Sequence, residues 1–263
     1  MLKPEFWINS KEEKVAFDCV ESLGVYPLTI ATVTGTHQYG FTSHDSDLDV
    51  RGVFIAPTVD GLGLIKKAKD HAQMMSEIDG IEVDGVAFEI ERFMSLVLKG
   101  SGNLIEELFS PIVVREGPYL NQLREAVSAN FSKQLIRHYI GFFENCVKKL
   151  KGEKKPPEVK TALYAVRIAL TGVHLMRTGQ IEAHLPTLAE AYGCEFIPEW
   201  LSMKTSEHEP IPSQLLGQFT ETLMPLRQRL KRSVQEASLP KGPPVPQKLS
   251  DLLVKIRRDN YQA

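Results

Sequence analysis

Two rhythms of hydrophobic and polar positions run along this chain. Residues 11–23 (KEEKVAFDCVESL) set Val15, Phe17, Cys19, Val20 and Leu23 among charges at roughly helical spacing, and Gly24 follows as a natural stop. An amphipathic first helix is expected. Residues 26–34 (YPLTIATVT) are rich in β-branched side chains and predict a strand, which a Gly35-Thr36 turn closes. Residues 48–55 (LDVRGVFI) predict a second strand, with Asp49, Arg51 and Val53 on one face, Leu48, Val50 and Phe54 roughly on the other, and Pro57 ending it. In residues 80–90 (GIEVDGVAFEI), the Asp84-Gly85 pair sits between short apolar runs and predicts a hairpin turn, because both residues tolerate positive φ. Glu89 lies on the strand that returns from it. Residues 92–98 are helical in pattern, Gly100-Ser101-Gly102 interrupts, and residues 103–109 resume the helix.

Beyond Gly117 the period-two signal fades. Residues 119–150, 158–178, 187–192 and 212–237 carry apolar positions at helical spacing, with a charged loop at 148–157. Residues 239–247 (LPKGPPVPQ) predict an extended linker, and Ser250 is placed to cap a short terminal helix over 251–258. The expected fold class is α+β: an N-terminal mixed sheet with helices over 1–118, a helical domain over 119–238, and a Pro-rich linker with a short helix over 239–263.

Composition narrows the classes. The 263 residues are 43% apolar and 24% charged, in the range of ordinary globular chains. No apolar run approaches the roughly 18 residues that span a bilayer, and residues 1–9 lack a signal-peptide layout, so a cytoplasmic protein without a membrane partner is expected. Cys19, Cys146 and Cys194 are too far apart for a zinc knuckle. The net charge of −2 conceals a division, since residues 1–130 carry 11 basic and 20 acidic side chains, net −9, and the remainder is net +7. Carboxylates recruit metal ions, whereas Lys and Arg recruit phosphates.

The acidic half contains the informative stretch, residues 35–51 (GTHQYGFTSHDSDLDVR). Asp47 and Asp49 are two residues apart at a strand, so their carboxylates share a face and repel unless a cation lies between them. Mg²⁺ suits such oxygens together with substrate phosphates, and a two-metal site clamps the attacking and leaving oxygens of phosphoryl transfer. The Gly35-Thr36 turn adds backbone N–H groups and a hydroxyl suited to a triphosphate. Arg51 shares the strand face of Asp49, where it either binds a phosphate or pairs with a neighbouring carboxylate. In the basic half, Lys160, Tyr164, Arg167, Thr171 and His174 recur at intervals of three or four. On that polar stripe Tyr164 is placed to stack on a base and Arg167 to meet phosphates, while Lys160 and His174 read better as a solvated face.

This arrangement resembles the signature of the DNA polymerase beta superfamily of nucleotidyltransferases, in which Gly-Ser precedes an Asp-x-Asp pair, here Gly35-Thr36 and Asp47-Leu48-Asp49. The segments GTHQYGFTSHDSDLDVRGVFIAP, FEIERFMSLVLKGSGNLIEELFSP and ALYAVRIALTGVHLMRTGQIE are similar in order and spacing to the YcgL-like, RNA-repair-associated family. Thr36 stands in place of the usual Ser, and Ser101-Gly102 in place of Asn-Pro. The resemblance implies Mg²⁺-dependent transfer of a nucleoside monophosphate from an NTP such as ATP to an acceptor, such as an RNA end, with pyrophosphate released. Asp47 and Asp49 would hold metal, with Glu89 as the third carboxylate and Glu82 its competitor. The rival functions are a non-catalytic nucleotide-binding module and a metal-dependent phosphohydrolase using His37 or His44.

Overall fold

The computed structural model describes residues 8–24, 26–62, 67–152 and 156–261. The chain forms two compact units. One gathers the residues up to Gln38, Asp47–Asn130 and the segment from Pro243 onward; the other comprises Tyr39–Ser46 and Phe131–Gly242. These units cross the boundaries expected from sequence at three places: Tyr39–Ser46 belongs to the second unit, whereas helix α6 (Leu120–Ser128) and the terminal helix α12 (Pro246–Asp259) belong to the first.

The first unit is built on one mixed sheet of β1 (Leu28–Val33), β2 (Leu48–Phe54), β3 (His71–Ile78), β4 (Ile81–Glu89) and β5 (Val113–Arg115), in the order β3-β4-β2-β1-β5. Only β2 and β4 run parallel; the other neighbours are antiparallel. Helix α1 (Ser10–Ser22) starts from a capping box, in which the Asn9 side chain accepts from the Lys11 and Glu12 amides and Glu12 accepts from the Asn9 amide. Its Val15, Ala16, Cys19 and Val20 pack against Ala31, Val33, Leu48, Val50, Val83 and Ala87, so the core side of the sheet takes alternate strand residues. The opposite side is left to Asp49, Arg51 and Asp84. Short helices α2 (Gly35–Tyr39) and α3 (Thr58–Gly61) flank β2, and α4 (Ile90–Leu98) and α5 (Gly102–Leu108) follow β4.

The expected hairpin at Asp84-Gly85 is not formed. Both residues lie inside the continuous strand β4, and the turn falls at Asp79-Gly80, whose φ angles are 51° and 77°. Gly85 is small for a different reason: a Cβ there would sit 2.5 Å from Leu23 Cδ1 and 2.9 Å from Cys19 Sγ, where α1 crosses the sheet. The partner strand β3 escaped the pattern because it is an edge strand, exposed along most of its length.

In the second unit, α8 (Val159–Thr178) packs against α7 (Ile136–Leu150), α9 (Leu185–Tyr192), α10 (Ile197–Met203) and α11 (Leu216–Glu236). Gly179 closes α8 in the left-handed conformation. Of the loop expected at 148–157, residues 153–155 lie outside the described residues, as do residues 1–7 of the N-terminal stretch. Helix α12 begins earlier than expected, with Pro246 in its first turn and Ser250 inside it. Among the described residues no helix is long and apolar enough to cross a membrane, and all three cysteines are buried and free.

Candidate functional site

The site is assembled where β1 turns into α2 beside β2. The Thr34 amide donates to the Asp49 carbonyl at 2.9 Å, which fixes the end of β1 against β2. Gly35 then adopts φ +63°, and a Cβ on it would lie 1.9 Å from Asp49 Oδ2. Only glycine lets the backbone lie this close to the Asp49 carboxylate. Thr36 follows, 1% exposed, with its Oγ1 lacking a hydrogen-bond partner among the described residues. A buried hydroxyl left unpaired costs about 1–3 kcal/mol.

The parallel register sets Asp49 directly opposite Asp84. Leu48 and Val50 face the core, which turns Asp49 and Arg51 to the other side. The Arg51 guanidinium lies between the acids: Nη2 donates to Asp49 Oδ1 at 2.5 Å and to Asp84 Oδ2 at 2.9 Å, and Nη1 donates to the Asp84 carbonyl at 2.6 Å. Its Nε is 3.8 Å from Glu107 Oε1. Burial works against the Arg51 charge, yet Asp49, Glu107 and Asp84 outweigh it and raise its pKa. Burial also dominates at Glu107, whose carboxyl is pushed up to about 7; Arg51 restrains the shift while Asp49, Glu106 and Asp84 add to it. Of the two roles the sequence left open for Arg51, the structure shows the carboxylate pairing.

Asp47 immediately precedes β2, is partly exposed, and makes no hydrogen bond or ion pair among the described residues. Among those residues no three His, Cys, Asp or Glu side chains converge as a metal-binding group. Arg51 accounts for this at Asp49 and Asp84, because it already supplies the cation that the paired carboxylates require. The donors themselves are carboxylate oxygens, the set that a hard divalent ion takes.

Glu89 is elsewhere. It ends β4 opposite Phe54, five residues and therefore roughly 17 Å along the strand from Asp84. There it is 4% exposed, accepts from the Glu91 amide at 2.8 Å as the N-cap of α4, and pairs with Arg257 Nη1 at 2.8 Å. Its role in the structure is to cap α4 and anchor α12 within the first unit. Glu82, on the same strand face as Asp84, is exposed opposite Glu77. The carboxylate that sequence reasoning passed over is Asp84, mistaken for a turn residue. The distinguishing signal was Asp79-Gly80, a second pair able to turn.

In the second unit the expected polar stripe on α8 faces inward. Arg167 is 1% exposed, its guanidinium carbon 3.9 Å from the Tyr39 ring centroid and 5.9 Å from that of Phe142. Tyr164 packs edge-on to Tyr39 and Phe41, Thr171 is buried, Lys160 pairs with Glu207, and His174 meets the Tyr192 hydroxyl. Tyr164 and Arg167 thus form an aromatic cluster around residues 39–41. The two histidines of the signature segment are also engaged, His37 with Glu12 at 3.5 Å and His44 with the Thr205 carbonyl at 3.1 Å.

Comparison with known proteins places the chain in a family. A relative from Methanocaldococcus jannaschii, itself described as uncharacterized, is 27% identical over 155 residues, covering 57% of this chain. The match spans 61% of that relative's length. A solved nucleotidyltransferase-like protein from Exiguobacterium sibiricum aligns over 94% of this chain and 80% of its own at 10% identity and a TM-score of 0.33, too loose a likeness to carry an argument. The family model described as RNA repair pathway DNA polymerase beta family matches residues 10–255, nearly the whole chain. With that extent of match, the chain belongs to the RNA repair pathway DNA polymerase beta family.

Proposed function

We propose that this protein is a Mg²⁺-dependent nucleotidyltransferase that moves a nucleoside monophosphate from an NTP to an acceptor hydroxyl at an RNA end, releasing pyrophosphate. The observation that carries the reading is the side-by-side placement of Asp49 and Asp84 on parallel strands, with Gly35 against Asp49 and Asp47 just ahead. Asp47, Asp49 and Asp84 would hold the metal, which supplies charge neutralisation on the triphosphate and on the attacking and leaving oxygens. Asp84 replaces Glu89 as the third carboxylate and would orient or accept the acceptor's proton. The buried Thr36 hydroxyl would donate to a phosphate oxygen, and the Gly35 turn would let backbone approach the same phosphate. RNA as acceptor, a role in RNA repair and the narrower YcgL-like grouping belong to this proposal and rest on the family.

One observation favours a second reading, a nucleotide-binding module without turnover: Arg51 already neutralises Asp49 and Asp84. The test separates the two. Purified protein is incubated with each α-labelled NTP, Mg²⁺ and total RNA, and both labelled RNA and pyrophosphate are measured for wild type and Asp47→Ala. Transfer lost in the variant supports the proposal. NTP binding by wild type without pyrophosphate leaves the binding module, and equal transfer by both proteins removes the site.

A further inference from the structure

Among the described residues Asp47 has no side-chain partner to orient it, so its backbone must. On its C-terminal side β2 provides that support, with Leu48 opposite Val83. On its N-terminal side lies the tight turn of residues 43–46, in which the Ser43 amide donates to Ser46 Oγ at 2.9 Å and the Ser46 amide to the Ser43 carbonyl at 3.1 Å.

That turn is gripped from within the second unit by the loop that follows α10. Glu207 Oε1 accepts from the Ser46 hydroxyl at 2.5 Å, from the Ser43 hydroxyl at 3.3 Å and from Lys204 Nζ at 2.9 Å. Its Oε2 is paired with Lys160. Lys204 Nζ also donates to Ser43 Oγ at 2.8 Å, and the Glu207 amide donates to both Asp45 carboxylate oxygens, at 3.0 and 3.1 Å. The loop is itself tied down, because the Val159 amide donates to the Glu209 carbonyl and the Ile211 amide to the Pro157 carbonyl. Glu207 is 8% exposed and Lys204 6%. Two buried charges in a connecting loop cost stability unless fully partnered; here Glu207 and Lys204 pair with each other and both also bond the turn.

We infer that Glu207 is a positioning residue for Asp47, acting through Ser46. The inference deepens the nucleotidyltransferase reading and rests on it for the importance of Asp47. Of the acidic run Asp45, Asp47 and Asp49, the first is consumed as an acceptor for the Glu207 amide. Lys204 and Lys160 fix the position of the Glu207 carboxylate, and the serine hydroxyls carry the restraint into the backbone that enters Asp47.

The test compares wild type, Glu207→Ala, Glu207→Gln, Ser46→Ala and, as a control in the second unit, Glu144→Gln, whose ion pair with Arg227 lies outside the clasp. Hydrogen exchange of the amides of residues 43–48 is measured first on metal-free protein. Exchange about tenfold faster in Glu207→Ala and Ser46→Ala, with α8 at wild-type protection, is expected. Mn²⁺ affinity, followed by electron paramagnetic resonance, is expected to weaken about tenfold in both, as for other outer-shell partners. The double variant Glu207→Ala/Ser46→Ala should lose no more than the worse single one, and Glu207→Gln should recover part of the loss because it keeps an acceptor oxygen. Wild-type exchange in both single variants, or equal loss in Glu144→Gln, overturns the inference. If wild type binds no Mn²⁺, the metal reading of Asp47 fails while the exchange measurement still decides whether Glu207 holds the turn. Ser46→Ala removes only a hydroxyl, so it remains informative if Glu207→Ala does not fold.

Discussion

Replacing Gly35 by alanine tests the closest contact in the site. The added Cβ would stand 1.9 Å from Asp49 Oδ2 and 2.8 Å from its Cγ, so backbone and carboxylate must separate by roughly 1 Å or more. Asp49 has little freedom to retreat, because its Oδ1 is bound to Arg51 at 2.5 Å and its carbonyl to the Thr34 amide. The φ of +63° costs an L-residue about 1–2 kcal/mol, and overpacking adds about 1–3. A stiffer unfolded chain returns about 0.4–1 kcal/mol. The expected net loss is about 2–4 kcal/mol. Gly80 supplies the control in the same unit: its φ is +77°, yet a Cβ there meets nothing within 4 Å, so Gly80→Ala should cost only about 1 kcal/mol. Native-state hydrogen exchange of the β1 and β2 amides reads the first unit alone, which matters because two compact units need not unfold in one transition. Equal losses in the two variants would refute the packing of Gly35 on Asp49.

Three further perturbations follow from the charges. Glu107, with its carboxyl pushed up to about 7, holds more protons folded than unfolded between about pH 4.5 and 7; its contribution is fullest below that window and falls as pH rises through it, by up to about 3 kcal/mol, and urea midpoints at pH 5 and 8 should show the slope reduced in Glu107→Gln. Arg51→Met leaves Asp49, Asp84 and Glu107 without their cation, so a loss of about 3 kcal/mol is expected, and added Mg²⁺ should raise the variant's thermal midpoint more than that of wild type; equal shifts would contradict a shared cation position. Glu89→Gln weakens both the α4 cap and the Arg257 pair, a loss of about 1–3 kcal/mol visible as a lower melting temperature and faster exchange in α12.

The sequence displayed those parts of the architecture that rest on local rhythm and hid those that rest on pairing. Helix α1, strands β1 and β2 and the long helix α8 followed from spacing, because each buries one regular face or ends at a glycine. Strand β3 did not, since an edge strand open to solvent needs few apolar residues. Asp84 was hidden by its neighbour: Asp-Gly is a turn signal, and only the packing of Cys19 and Leu23 over Gly85 shows why glycine belongs in mid-strand. Arg167 and Tyr164 have helical spacing that suits a solvated stripe, but α8 is packed by four helices, which bury Arg167 and Thr171. Glu207 lies some 160 residues from Ser46, beyond the reach of any local pattern.

The central claim is that Asp84, and not Glu89, completes the reactive carboxylates with Asp47 and Asp49. Pyrophosphate release from NTP under saturating Mg²⁺ and RNA, measured side by side for Asp84→Asn and Glu89→Gln at a temperature where both are folded, tests it directly. The account predicts a rate reduced by about 10²-fold or more in Asp84→Asn and near wild type in Glu89→Gln. A Glu89→Gln rate that collapses while Asp84→Asn keeps turning over would contradict it.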